Sequence, residues 1–314
     1  MVAPMSDILE LVVPPELAGE RLDRAVGKLA KGLSRARLKD AIEGGFVRVD
    51  GRRRPKGAPV QEGERITVDT TQIPSADTPA VPEPDAPLVI RFESKEVIVA
   101  DKPAGQPTAP LRAGETGSLA NALVGHYPEL AAFGYSPREP GIVHRLDTDT
   151  SGLVVVGRTA DAFEELRASL KAEALKKTYL VVVKEEGLPD EGTIEFPLTN
   201  HPKDQRRVYA CVHPRDVIRY APRPASTQYR VVERKEAWAL VEAEAPKALR
   251  HQIRAHFAAL GHPLAGDELY GGAPIRSLGR HALHASRVRY GGGACVDPFD
   301  VSSPLPAALA NLMG

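Results

Sequence analysis

The feature that most constrains this chain is a proline-rich break. Between Thr71 and Pro87, prolines stand at 74, 79, 82, 84 and 87, large apolar residues are few, and no helical or strand periodicity runs through. Proline fixes φ and removes a backbone donor, so such a stretch favours extended, polyproline-like conformations. Residues 71–87 are therefore read as an interdomain linker between a small module, 1–70, and a larger one, 88–314. A chain of 314 residues is long for one compact core, and two domains are the default.

The small module reads helix, helix, strand. Leu22, Ala25, Val26 and Leu29 recur at helical spacing, Gly32 breaks the pattern, and Ser34 is a good N-cap for a second helix that Gly44-Gly45 ends. Phe46–Val49 predicts a strand turned by Asp50-Gly51, and Glu64–Val68 predicts another. From Arg21 to Lys56, twelve Lys and Arg stand against four Asp and Glu, although the whole chain is formally neutral. Phosphate binding requires such clustering. A solvated surface rich in Lys and Arg is the alternative.

Composition is that of an ordinary globular chain, 42% hydrophobic and 26% charged. No apolar run is long enough to cross a bilayer, and Met1–Asp7 lacks the basic-then-apolar pattern of a signal peptide. Cys211 and Cys295 are the two cysteines and neither lies in a Cys-x-x-Cys motif, which argues against a thiolate zinc site and fits a reducing cytoplasm. Nor does any pair among His251, His256, His262, His281 and His284 have zincin spacing, so no metal site is expected.

In the larger module, strands are expected at 97–100, 153–156, 179–183, 238–243 and 285–290, and helices at 118–127, 161–171 and 249–260. The order does not alternate cleanly, which favours α+β over a doubly wound sheet. The run Gly141–Leu153 packs His144, Arg145, Asp147 and Asp149 into a turn-like segment ahead of an apolar strand. A carboxylate so placed can be a rigidly held nucleophile or base. The same residues also suit a loop whose Asp and Thr side chains cap backbone amides.

His144-Arg145-Leu146-Asp147 resembles the signature of the RluA-type pseudouridine synthases, which isomerise uridine in RNA. Further segments resemble that family in its order: Val99–Gly105 with Lys102-Pro103, Lys177-Thr178-Tyr179, His251-Gln252-Ile253-Arg254, Gly261–Asp267 with Tyr270-Gly271, and Arg280–Ala285. Together they cover about Leu88 to Tyr290. The small module is similar to the RNA-binding domain first known from ribosomal protein S-four, through Arg21-Leu22-Asp23, Ser34-Arg35 and the Gly45–Gly51 turn.

The resemblance implies a mixed, mainly antiparallel catalytic sheet of the pseudouridine synthase type, preceded by a small α/β RNA-binding domain. It also implies a cofactor-free isomerase. Asp147 would be the nucleophile, attacking base or ribose, Arg254 its charge partner, and Tyr179 the ring against the base and an aid to the final removal of the C5 proton. Helical spacing independently puts Arg254 at the edge of an apolar face of Leu249, Ile253, Phe257 and Leu260. Arg145 would fill the gap left by a flipped nucleotide, and His144 would contact the RNA backbone or bond a nearby carbonyl. Arg21, Ser34, Arg35 and Lys39 are the RNA contacts expected of the small module.

RNA is the implied partner, ribosomal favoured over transfer RNA, with the protein acting as a monomer away from membranes. One segment departs from the family: Lys247-Ala248-Leu249-Arg250 stands where many members read Thr-Gly-Arg-Thr. An RNA-binding assembly factor that has lost activity, and a carboxylate-based nucleoside hydrolase, are the competing functions.

Overall fold

The structure, a computed structural model, describes residues 8–30, 35–71, 78–246 and 248–314. The chain forms two compact units, Met1–Thr78 and Pro79–Gly314.

In the first unit, β1 (Ile8–Val12), β2 (Val47–Val49) and β3 (Arg65–Asp69) form an antiparallel sheet in the order β1-β3-β2. Helices α1 (Leu22–Leu29) and α2 (Arg35–Gly44) share its core. The helical spacing has the expected effect, since Leu22, Ala25 and Val26 are fully buried. Asp50 and Gly51 take positive φ, and Val49 and Arg52 exchange backbone hydrogen bonds across the expected turn. Strand β1 was not expected. Gly32 and Ser34, the expected break and cap, lie outside the described residues.

The second unit is built on a nine-stranded sheet. Its strands are β4 (Ile90–Glu93), β5 (Val97–Lys102), β6 (Ser151–Gly157), β7 (Lys176–Lys184), β8 (Glu191–Ile194), β11 (Thr227–Lys235), β12 (Trp238–Glu244), β13 (Leu283–Tyr290) and β14 (Phe299–Ser302). They run in the order β4-β5-β6-β13-β7-β12-β11-β8, with β14 also on β13. Strands β9 (Leu198–Asn200) and β10 (Val208–Ala210) form a separate hairpin. Among the described pairings in the large sheet only β6–β13 is parallel, which makes it the mixed, mainly antiparallel α+β sheet expected.

The apolar runs read as strands because both faces of the sheet are covered. Along β5, Ile98 and Ala100 enter one core while Val97 and Val99 enter another, and Val154 and Val156 alternate with Leu153 and Val155 along β6. Helices α3 (Leu119–His126) and α6 (Gln252–Leu260) pack on the first face, and α4 (Ala160–Lys171) on the second. Helix α5 (Pro214–Tyr220) lies between β10 and β11. Tyr179 on β7 and Ile253 on α6 belong to the same core. That shared face brings the distant motifs together.

Three expectations need correction. Residues 79–87, read as linker, belong to the second unit. There, Ala80 is buried, the Asn121 side chain donates to the Val81 carbonyl, and the Glu83 amide donates to the Asn121 carbonyl. Prolines keep this stretch extended, but backbone hydrogen bonds to α3 hold it in place. Next, α6 starts at Gln252 rather than Leu249, because Ala248 (φ 40°) and His251 (φ 54°) adopt left-handed conformations. Leu249 is thus in the turn before the helix, not on its apolar face. Last, β11 was not anticipated, although Thr227 and Tyr229 alternate with polar residues.

The start of β6 depends on Gly152. Its φ is +116°, and a Cβ there would lie 2.2 Å from the Ala285 carbonyl oxygen of β13. Gly152→Ala is therefore expected to destabilise the protein by roughly 2–4 kcal/mol, through strain and a forced parting of the two strands. Urea denaturation checks this.

Candidate active site

Asp147 lies in the loop that feeds β6, and the backbone fixes that loop from several sides. The Thr150 amide donates to the Asp147 carbonyl at 3.0 Å, closing a tight turn. Thr108 Oγ1 donates to the Leu146 carbonyl (2.8 Å) and accepts from the Leu146 amide (3.1 Å). The Lys102 ammonium, fully buried, donates to the carbonyls of Pro103, Gln106 and Thr148 at 2.7–3.0 Å. Burial lowers Lys102 to about 8, opposed by the nearby Asp149 and Asp147. On the other side Arg280 donates to the Asp149 carbonyl, and Thr150 Oγ1 bonds His281 Nε2 at 2.8 Å. The loop is capped, as the second reading of these residues held, but Thr108, Lys102, Arg280 and His281 do the capping. The Asp147 carboxylate is left for other work.

That carboxylate meets Arg254, whose Nη1 lies 3.1 Å from Asp147 Oδ2. Arg254 Nε and Nη2 grip the Asp267 carboxylate at 2.7 and 2.8 Å, a two-pronged pairing that fixes the guanidinium plane. The Arg254 side chain is 7% exposed and that of Asp267 1%, whereas that of Asp147 is 25% exposed. The buried pair holds the cation, and Asp147 is the member open to the outside. The guanidinium also lies over the Tyr270 ring, 5.1 Å from its centroid.

His251 is a site residue to which the sequence assigned no role. Its Nε2 lies 3.6 Å from Asp147 Oδ2, beyond hydrogen-bond range but within electrostatic contact. Tyr270 Oη accepts from the Val208 amide at 2.8 Å and sits 3.0 Å from His251 Nδ1. With an acceptor site thus filled, the tyrosine O–H donates to Nδ1, which puts the imidazole proton on Nε2, facing Asp147. Burial lowers the pKa of His251, and Arg254 and Arg250 add to the effect against the pull of Asp147. Burial thus favours the neutral imidazole beside the carboxylate.

Tyr179, on β7, is buried, and its phenol is pushed up first by burial and then by the Asp147 charge, so it stays protonated at neutral pH. Tyr179, Asp147, Leu146, Thr150, Ile253 and Leu283 line a cleft of about 60 Å³, with Arg145 and residues 248–252 at its margin. Ala248, where the resemblance leads one to expect Gly, holds left-handed backbone, and Arg250 points its guanidinium at the carbonyls of Gln205 and Arg207, 3.0 Å from each. Arg250 thereby ties the neighbouring hairpin to the turn before α6. Lys247 lies outside the described residues.

The structure unites Asp147, Arg254, Tyr179 and Arg145 and parts His144 from them. His144 is buried; its Nε2 accepts from the Val155 amide at 3.2 Å, and burial drives its pKa well down. It pins the loop to β6, so the expected RNA contact is corrected. Arg145 is 67% exposed and paired with Glu139 at 2.9 Å. In the first unit, Lys39 is exposed, the Arg21 guanidinium is taken by Asp23, Ser34 lies outside the described residues, and for Arg35 only the backbone is described. Glu20 pairs with Arg24 and Lys28, and Glu64 with Arg54, which reduces the local cationic excess. Among the described residues, no three His, Cys, Asp or Glu come together as a metal site.

The family model for RNA pseudouridylate synthases matches residues 96–259, which contain Asp147, Tyr179 and Arg254. The chain is 36% identical to the ribosomal large subunit pseudouridine synthase D of Xanthomonas campestris, over 98% of this chain and 92% of that one. It is also 36% identical to the enzyme of the same name from Nitrosomonas europaea (97% and 87%). Identity to an uncharacterized RNA pseudouridine synthase of Chloroflexus aurantiacus is 37% (95% and 90%). The solved structure of human RNA pseudouridylate synthase domain containing 1 shares the fold, with a TM-score of 0.55 at 22% identity over 72% of this chain and 90% of that one.

Lys177 yields a pH test. It is buried next to His144, and desolvation lowers its ammonium to about 8. The unfolded chain keeps that proton up to about 10.4. Between these values the unfolded state binds more protons, so this residue makes stability rise with pH. Lys177→Met should be more stable than the parent below pH 8, by up to about 3 kcal/mol, with the advantage fading as pH rises from 8 to 10. Denaturant midpoints of both proteins at pH 7 and pH 9.5 check it.

Proposed function

The chain belongs to the RNA pseudouridylate synthase family, and from that premise we propose that it isomerises specific uridines of large-subunit ribosomal RNA with Asp147 as nucleophile. The observation that carries this reading is the half-open Asp147 carboxylate, held by a buried Arg254 in a cleft it shares with Tyr179. Arg254 and the Nε2–H of His251 both address Oδ2, and no described residue engages Oδ1. Oδ1 is the oxygen that attacks, at the base or at ribose C1′. The N-glycosidic bond then breaks, the held uracil turns, C5 bonds to C1′ while the bond to Asp147 breaks and frees the carboxylate, and the C5 proton is lost to solvent as N1 takes one up. The Tyr179 ring shares the cleft with Asp147, which suits it to lying against the base.

The cleft shared by Asp147 and Tyr179 is small and open to the outside, so that an extruded base could enter while its polymer stays outside. Arg145 at the rim is tethered only by an exposed ion pair, worth at most about 1 kcal/mol, and is therefore free to enter the vacated stack. The relatives named for the ribosomal large subunit support that RNA as substrate. An RNA substrate, and no described helix long and apolar enough to cross a membrane, support work in the cytoplasm.

The first unit is the RNA-binding domain in this reading, of the type known from ribosomal protein S-four. Exposed Lys39, Arg48, Arg52 and Arg53, with which no described acidic side chain pairs, are its cationic surface. Removing the residues before Pro79 should weaken RNA affinity about tenfold or more and lower its salt dependence, while the rate on a short substrate changes less. Filter binding at several salt concentrations measures this, and unchanged affinity would refute the assignment.

Asp147→Ala is expected to reduce pseudouridine formation at least about 10⁴-fold while RNA binding persists. Chemical mapping of pseudouridine, with assay of free uracil, is the measurement. Undiminished pseudouridine would refute Asp147 as the nucleophile, and uracil release by the parent protein would mean a hydrolase.

A further inference from the structure

Strands β8 and β11 pair directly, Ile194 opposite Thr227, so residues 195–226 leave the sheet as an excursion carrying β9, β10 and α5. From His201 to Arg223 this excursion has six Lys and Arg against Asp204 and Asp216, in a chain that is neutral as a whole. Both acids are already engaged. Asp204 is gripped by Arg206 at 2.9 and 3.0 Å, and Asp216 accepts from the Tyr209 hydroxyl at 2.8 Å. Lys203, Arg215 and Arg223 are exposed, and no described acidic side chain pairs with them.

Aromatic rings are interleaved with these cations. His201, Tyr209 and Tyr220 meet edge to face at centroid distances of 5.9 and 6.1 Å, and the Arg219 guanidinium lies 5.2 Å from the Tyr220 centroid. A phosphate-binding surface with π faces in reach is how single-stranded nucleic acid is gripped without base-edge reading.

The turn of the β9–β10 hairpin, within this excursion, is tied to the catalytic cleft. Arg250, a cleft residue, holds the carbonyls of Gln205 and Arg207, and the Val208 amide donates to the tyrosine hydroxyl that sets His251. A merely solvated charged loop needs no such attachment.

We propose that residues 195–226 form an RNA-gripping arm beside the cleft, with Lys203, Arg215 and Arg223 binding phosphates and the Arg219–Tyr220 pair offering a stacking surface. This rests on the reading of the protein as an RNA-modifying enzyme. The test uses the full chain, an unmodified transcript of large-subunit ribosomal RNA, and the triple variant Lys203→Glu, Arg215→Glu, Arg223→Glu. All three positions are exposed, so folding is expected to survive, and circular dichroism and thermal melting verify it.

Affinity should fall at least about tenfold near 0.15 M salt, and the slope of log K against log salt should shrink by about 2, as for three lost phosphate contacts. The single-turnover rate at saturating RNA should stay within about twofold of the parent, because no mutated group touches Asp147, His251 or Arg254. Tyr220→Leu should weaken binding about fivefold or more with the salt slope unchanged. Parental affinity and slope in the triple variant overturn the arm. Arm-dependent binding by a parent protein that makes no pseudouridine would support the arm and refute the catalytic reading instead.

Discussion

The Arg254 guanidinium is the group on which the site depends. It is a buried cation with two carboxylates at its edges and an aromatic ring at its face. Desolvating such a cation costs several kcal/mol unless its donors are matched, and the two-pronged Asp267 pairing matches them. Two carboxylates on one guanidinium, with a neutral His251 alongside, leave one negative charge in excess. The excess resides at Asp147, because Asp267 is sealed on both oxygens and Asp147 is partly open. The interaction that stabilises the fold around α6 thus also points a charged oxygen into the cleft.

The rest of the catalytic unit keeps that geometry stiff. Asp147, Tyr179, Arg254 and Asp267 come from a loop, a strand, a helix and a turn far apart in sequence. They meet because β6, β13 and β7 are adjacent at the sheet centre and α6 packs on the same face. The loop carrying Asp147 is held at its backbone by Lys102, Thr108 and Arg280, so the carboxylate can react without also maintaining the turn. Holding the reactive group within a few tenths of an ångström is what pre-organisation requires.

Much of this was legible in the sequence, for identifiable reasons. The apolar runs of β5, β6 and β7 announced strands covered on both faces, and the His144–Asp147 run singled out the carboxylate. Periodicity placed Arg254 beside an apolar face, but it extended α6 back to Leu249. It carries no sign of left-handed backbone at Ala248 and His251. The roles of His251 and Tyr270 were hidden for another reason. They follow from hydrogen-bond bookkeeping between residues 208, 251 and 270, and single-residue chemistry does not reveal such a chain. His144 stood inside the most telling motif with two roles open, RNA contact or a local backbone bond; its ring turns into the core and takes a local bond, to an amide rather than a carbonyl.

The net charge conceals how the charge is distributed. A formal charge of zero argues against a polyanionic partner, yet it averages an anion-holding interior with exposed cationic segments. The catalytic charges pair in the dry interior and contribute little to long-range attraction. Contacts with a phosphate backbone belong on exposed elements, such as the 195–226 excursion, where screening is strong and several weak contacts must act together. Chemistry and attraction are thereby assigned to different residues. On the proposed reading, the groups that draw in RNA need not touch the reacting atoms, and the hydrogen bond from Val208 to Tyr270 physically connects the excursion to the cleft.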